Sequence, residues 1–179
     1  MLLENKNAVI YGGGGSIGSE VAREFSRGGA RVFLVGRTGE SLETVANDIK
    51  VDGGAAELAV LDAIDEQAVD EHSRAVVSQA GSIDVSFNLI TRGDVQGIPL
   101  IEMTTDDLLR AVNNGLRGNF ITARVAARRM VEQGSGVILA LDSGSANGSP
   151  MMGSTGPPMR LPTPSSGIWR PRSGHRAFA

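Results

Sequence analysis

The sequence predicts an α/β protein built on a doubly wound parallel sheet, three layers deep (α/β/α). Three observations carry this. Five short apolar runs recur along the chain, amphipathic helical segments separate them, and a glycine run stands between the first apolar run and the first helix. Strands buried on both faces read as continuous apolar segments, and helical crossovers between them imply parallel pairing. Right-handed crossovers then wind the sheet outward from its centre, in the expected strand order 3-2-1-4-5.

Each element follows from its own residues. NAVIY (7–11) suits a buried strand. After the glycines, Ile17, Val21 and Phe25 recur every four residues and predict a helix with one buried stripe, ended by Gly28 and Gly29. RVFLV (31–35) is the second strand. Thr38 can cap a helix whose apolar face is Leu42, Val45, Ala46 and Ile49, stopped by Gly53 and Gly54. AELAVL (56–61) is the third strand, and Asp65 can cap a helix carrying Ala68, Val69, Ala75 and Val76. IDVSFNLI (83–90) is the fourth. A long periodic segment opens at Thr105 and runs through Leu109, Val112, Leu116, Phe120, Ala123, Ala127 and Met130. GVILAL (136–141) is the fifth strand.

Composition narrows the function. A chain of 179 residues suits one domain with a substantial core. With 41% hydrophobic and 21% charged residues it is not globally disordered, and a net charge of −3 gives no footprint of a nucleic-acid binder. Without cysteine there can be no disulfide, thiolate zinc site or cysteine nucleophile. No stretch is apolar enough to span a membrane, so the expected location is the cytoplasm.

The last residues are a different kind of sequence. Residues 1–142 hold all 20 acidic and 13 basic residues, a net −7, whereas residues 143–179 hold four arginines and no acid. Five of the seven prolines fall between Pro157 and Pro171. This divides the chain into an α/β domain over 1–156, whose ligand the glycine run below points to, and an irregular Pro/Arg/Ser-rich tail over 157–179.

The glycine run reads YGGGGSIG (11–18). Placed between a strand and a helix, it brings backbone amides and the positive end of the helix to one point, which suits a diphosphate. Glycine is needed where a side chain would block the backbone's approach or forbid positive φ. Gly12, Gly14, Gly15, Ser16, Ile17 and Gly18 are therefore candidate cofactor contacts. Arg37 ends the second strand, nineteen residues beyond Gly18. A Rossmann-type fold reads the adenosine ribose there, and arginine without an acid favours NADP(H), leaving NAD(H) as the alternative.

At this point the chain resembles the short-chain dehydrogenase/reductase family over roughly residues 5 to 146. Gly12, Ser16 and Gly18 fall on the family's Gly-x-x-x-Gly-x-Gly positions, with serine at the middle one. The resemblance implies that Asp62 contacts the adenine amine and that Asn88 is the first residue of the family's Asn-Asn-Ala-Gly, here Asn88-Leu89-Ile90-Thr91. It also implies a cofactor role for Asn88. LRGNF (116–120) and GVILALDSGSA (136–146) look like the family too, with Ser143 at its catalytic serine. The implied reaction is hydride transfer between NADP(H) and a carbonyl or alcohol of a small-molecule substrate. Relatives assemble through the long helix, so a homo-oligomer through residues 105–133 is expected.

The same resemblance exposes a gap. The family's general acid/base is a tyrosine followed four residues later by a lysine, but the only tyrosine here is Tyr11 and the only lysines are Lys6 and Lys50. Gly115 stands at the family's helix asparagine, next to Asn114. Only Ser143 of the catalytic set remains, so a catalytically inactive NADP(H)-binding module is the alternative function. The family calls for a helix, a sixth strand and a lid after residue 156, and the tail's composition fits a chain truncated or read out of frame there. The fifth strand would then be an open edge. Elsewhere, His72 reads as a hydrogen-bonded packing residue, Arg128, Arg129 and Glu132 as a solvated helix face, and Gly115 and Gly118 as sites of close packing. No metal-ligand spacing occurs.

Overall fold

The computed structural model describes residues 1–141. It contains the strands β1 (Asn7–Tyr11), β2 (Arg31–Gly36), β3 (Ala55–Val60), β4 (Val85–Asn88) and β5 (Val137–Ala140), with the helices α1 (Ser16–Arg27), α2 (Gly39–Val51), α3 (Glu66–Ala80) and α4 (Thr105–Gln133) between them. The sheet is parallel throughout, in the order β3-β2-β1-β4-β5. The expected doubly wound, Rossmann-type fold is therefore observed. The tail boundary at residue 156 lies outside the described residues.

Alternation along β1 explains why its sequence is apolar from Ala8 to Tyr11. Ala8 and Ile10 face one way, into a core shared with Leu34, Leu42, Val45 and Ile49 beneath α1 and α2. Val9 and Tyr11 face the other way, against Val69, Val76, Ile121, Val125 and Met130 beneath α3 and α4. Burial of each large aliphatic side chain contributes about 1.5–3 kcal/mol, so the central strands anchor both layers. The edge strand β3 is covered less well, and Leu58 and Val60 are partly exposed.

Two helix faces differ from the sequence expectation. In α1 the fully buried residues are Gly18 and Ala22; Val21 and Phe25 of the expected stripe pack partly buried against the core, while Ile17 is 54% exposed. The first turn lies so close to the glycine loop that no side chain fits at position 18. The second case is α4. Its buried stripe is Ala111, Gly115, Gly118, Ile121, Thr122, Val125, Ala126 and Met130. Of the large apolar residues in the expected stripe, Met130 is buried, but Leu109, Leu116 and Phe120 point outward and are 42%, 59% and 60% exposed. Both stripes repeat at helical spacing, and close packing selects the one with small residues.

Polar contacts fasten the layers together. Gln133 at the end of α4 accepts from the amide of Ile83 (3.2 Å) and donates to its carbonyl (2.8 Å). Arg129 is not solvated as expected: it pairs with Asp70 of α3 at 3.0 Å and is largely buried. His72 on α3 also departs from expectation, because its buried Nδ1 has no hydrogen-bond partner among the described residues.

Candidate nucleotide cleft

Strand order reverses between β1 and β4, and the loops leaving the carboxyl ends of the strands part there. A crevice outside the sheet is the usual consequence. Here it is a cavity of about 410 Å³, lined from Gly12 and Gly14 across Arg37 and Asp62 to Thr91 and Asn114.

The floor is the glycine turn. The amides of Gly12 and Gly13 both donate to the Val35 carbonyl (2.7 and 3.1 Å), tying the turn to β2. Gly12 has φ +81, and a Cβ there would lie 2.6 Å from the Leu89 carbonyl oxygen. A side chain is excluded twice over, by conformation and by space. At Gly18 a Cβ would collide with the Gly12 carbonyl oxygen, so the first turn of α1 rests directly on the loop.

The end of α1 carries the electrostatics. Its first intrahelical bond runs from the Ser19 amide to the Gly15 carbonyl at 2.8 Å, which leaves the amides of Ser16, Ile17 and Gly18 without helical acceptors. Gly15, at the cap position, makes no side-chain cap, and no acid stands in the first turn. Asp65 and Thr104 do cap α3 and α4, accepting from the amides of Ala68 and Asp107. Thr38 occupies the cap position of α2 as expected, but its side chain makes no cap hydrogen bond. Thus α1 and α2, whose first turns line the cleft, are uncapped by side chains, whereas α3 and α4 are capped. Uncapped N-termini attract anions.

Arg37 stands at the rim beside Thr38 and Ser41, exposed, and forms no ion pair among the described residues. Asp62 lies across the cleft and accepts from the Ile64 amide at 3.2 Å. Ile64 and Ile90 form apolar walls. Asn88 takes a different place. It is buried at the end of β4, donating to Asn119 Oδ1 (2.7 Å) and Thr122 Oγ1 (3.2 Å) and accepting from the Ile90 amide (3.1 Å). These bonds fasten β4 to α4 and aim the loop that follows; neither Asn88 nor Gly18 lines the cavity. The structure thus brings Gly12, Gly14, Gly15, Ser16, Ile17, Arg37 and Asp62 together, while Ser143 lies outside the described residues.

Several lining residues were not legible in the sequence. Thr38 and Ser41 follow Arg37 directly, which was a usable signal, whereas Thr91 and Asn114 meet only through the packing of the 89–104 segment on α4. Gly115 and Gly118 are indeed sites of close packing, against Arg92 and Ile90.

Acid–base chemistry finds few candidates here. Tyr11 is buried in β1, and burial pushes its phenol far above the ordinary range, so it stays protonated and enclosed. Lys6 lies at the opposite end of β1, paired with Asp84 at 3.0 Å. Among the described residues, no cluster of His, Cys, Asp or Glu could hold a metal ion, and no helix is long and apolar enough to cross a membrane.

The chain is similar to known proteins. Residues 6–155 match the short chain dehydrogenase family. The L-rhamnose 1-dehydrogenase (NAD(P)(+)) of Azotobacter vinelandii is 35% identical over 152 residues, covering 82% of this chain and 58% of that protein. The chain therefore spans little more than half the length of such a relative. Among solved structures, an NAD+-bound xylitol dehydrogenase superposes with a TM-score of 0.80 at 26% identity, covering 89% of this chain and 61% of that one. A metagenomic short-chain oxidoreductase in complex with NADP gives 0.76 at 27%, covering 87% and 70%.

Proposed function

Because this chain belongs to the short-chain dehydrogenase family, we infer that its cleft holds NADP(H) and that the protein is an oxidoreductase acting on a carbonyl or alcohol. One observation carries the reading: α1 presents the Ser16 and Ile17 amides to the cleft without helical acceptors, and among the described residues it has neither a side-chain cap nor an acid in its first turn. The Ser16 and Ile17 amides would bind the diphosphate, and Asp62 would accept from the adenine amine between the walls formed by Ile64 and Ile90. Arg37, with Thr38 and Ser41 beside it, would pair with the 2′-phosphate. Arginine matches phosphate geometry well, and Arg37 gives up no ion pair among the described residues to do so.

The bound nicotinamide would supply or accept the hydride. Asn88 would not touch the cofactor but would hold the β4–α4 corner in place. Ser143 would hold the substrate oxygen. Neither Tyr11 nor the two lysines fits the role of general acid/base, which favours a second reading in which the protein binds NADP(H) without turnover.

The outward face of α4 suggests a partner. Leu109, Leu116 and Phe120 line it, and Arg124 lies over the Phe120 ring at 4.7 Å. This reading includes a homo-oligomer formed by two such faces.

One experiment separates the readings. The protein is mixed with NADPH and nicotinamide fluorescence is followed, first alone and then across a panel of carbonyl compounds. Saturable binding with oxidation abolished by Ser143→Ala supports the enzyme; binding without oxidation supports the non-catalytic module; no saturable binding of NADPH or NADH rejects both.

A further inference from the structure

Helix α4 carries eight charged side chains, and most of them are paired within the chain. Arg110 pairs with Asp107, Arg124 with Glu66, and Arg129 with both Asp70 and Glu132. The other three, Asp106, Arg117 and Arg128, are exposed and form no ion pair among the described residues. They stand eleven residues apart in turn, close to three helical turns, so they fall on one line along α4 at intervals of about 16.5 Å. Each also lies three residues before an exposed apolar side chain, namely Leu109, Phe120 and Val131. Residues three apart share a helix face, so the charged line borders the apolar face that Leu116 completes.

From the amino to the carboxyl end the line reads minus, plus, plus. Set against a reversed copy of itself, it brings Asp106 opposite Arg128 at both ends and Arg117 opposite Arg117 in the middle. Only an antiparallel arrangement does this. A two-fold axis parallel to the helix would turn the line toward the opposite flank of the apolar face, where Val112 and Ala123 stand and no acid is found. The matching surface must offer an apolar strip with opposite charges about 33 Å apart along its edge, and the chain itself supplies that surface.

We propose that α4 pairs with α4 of a second copy, antiparallel at a shallow crossing and centred on Arg117, exchanging two Asp106–Arg128 ion pairs across the two-fold axis. This rests on the homo-oligomer reading and gives it a direction and a register. Leu116 and Phe120 of both copies meet at the centre. Arg128 of each copy faces the partner's Asp106, while Arg117 faces the partner's Arg117 and opposes the contact. The apolar face provides adhesion, and the charged line selects one orientation over the other.

The test measures the dimer dissociation constant of the full chain by sedimentation equilibrium at low salt. Asp106→Arg sets an arginine against the partner's Arg128, and Arg128→Asp sets a carboxylate against the partner's Asp106. Each alone should weaken the dimer at least about fivefold, because the two-fold axis repeats the clash at both ends. Asp106→Arg combined with Arg128→Asp should restore the constant to within about twofold of the parent chain. Arg117→Gln should tighten the dimer, an effect of opposite sign that impaired folding does not produce. All these differences should shrink in about 1 M salt, where the screening length falls to about 3 Å. Thermal melts check that each variant is folded. Single substitutions without effect, or a combined variant that dissociates as readily as the two losses added together, would overturn the register and leave a homo-oligomer through Leu116 and Phe120 standing. A chain that stays monomeric at every concentration would overturn both.

Discussion

Gly18 sits so close to the carbonyl oxygen of Gly12 that even a methyl group would not fit between them. The first turn of α1 is thereby pressed onto the loop that leaves β1, and the amides of Ser16 and Ile17 are held at the floor of the cleft. Gly18→Ala must push the helix away. Overpacking of this kind costs about 1–3 kcal/mol, so the variant should melt at lower temperature and also bind NADPH more weakly. A variant that loses stability but keeps full NADPH affinity would show that the helix position does not matter to the cleft.

Arg37→Ala tests the phosphate preference. Hydrogen bonds to a charged group contribute about 1.5–3 kcal/mol, which corresponds to roughly 10- to 100-fold in affinity. The loss should fall on NADPH and leave NADH nearly unchanged, as read by parallel fluorescence titrations. Equal losses for both dinucleotides would place Arg37 away from the 2′-phosphate.

Asn88→Leu leaves the Ile90 amide without its acceptor and both Asn119 Oδ1 and Thr122 Oγ1 without this donor. Each buried group left unsatisfied costs about 1–3 kcal/mol. Thermal unfolding should therefore show a loss larger than that of a typical surface substitution. Unchanged stability would mean that Asn88 does not fasten β4 to α4.

His72 predicts a pH dependence. Burial is the main influence on its imidazole and pushes its pKa below the ordinary value, with only a small opposing pull from Glu57. The folded protein therefore holds His72 neutral where the unfolded chain has begun to bind a proton. Its contribution is fully present above the unfolded value of about 6.5 and is lost as the pH falls below it toward the folded pKa. In denaturant melts between about pH 7 and pH 5, His72→Gln should lose stability less steeply than the parent chain. Identical slopes would contradict the assignment.

The α4 face predicts association. Replacing Leu116 and Phe120 together by glutamate should lower the sedimentation-derived mass while leaving the melting temperature of the separated chain nearly unchanged, since both side chains are exposed in the single chain. A mass that does not depend on these residues would remove the interface.

How much of this could be read beforehand depended on how local each signal was. β1 and β2 were legible because burial on both faces makes Ala8–Tyr11 and Val32–Val35 continuously apolar. The glycine turn was legible because one segment of chain supplies the strand, the loop and the helix end. The face of α4 was misread because Leu109, Leu116 and Phe120 repeat at the same helical spacing as the small residues, and only the closeness of the sheet decides which stripe turns inward. The hydrogen bonds of Asn88 were not legible because its partners Asn119 and Thr122 stand on another element. The seat of Arg92 on Gly115 was invisible for the same reason: the two residues meet only once α4 has packed against the loop after β4.

The most direct measurement is a crystal structure of the protein with NADPH. The account predicts diphosphate oxygens about 2.7–3.2 Å from the backbone nitrogens of Ser16 and Ile17, with the 2′-phosphate beside Arg37. A dinucleotide bound elsewhere, with those amides satisfied by the protein's own groups, would contradict it.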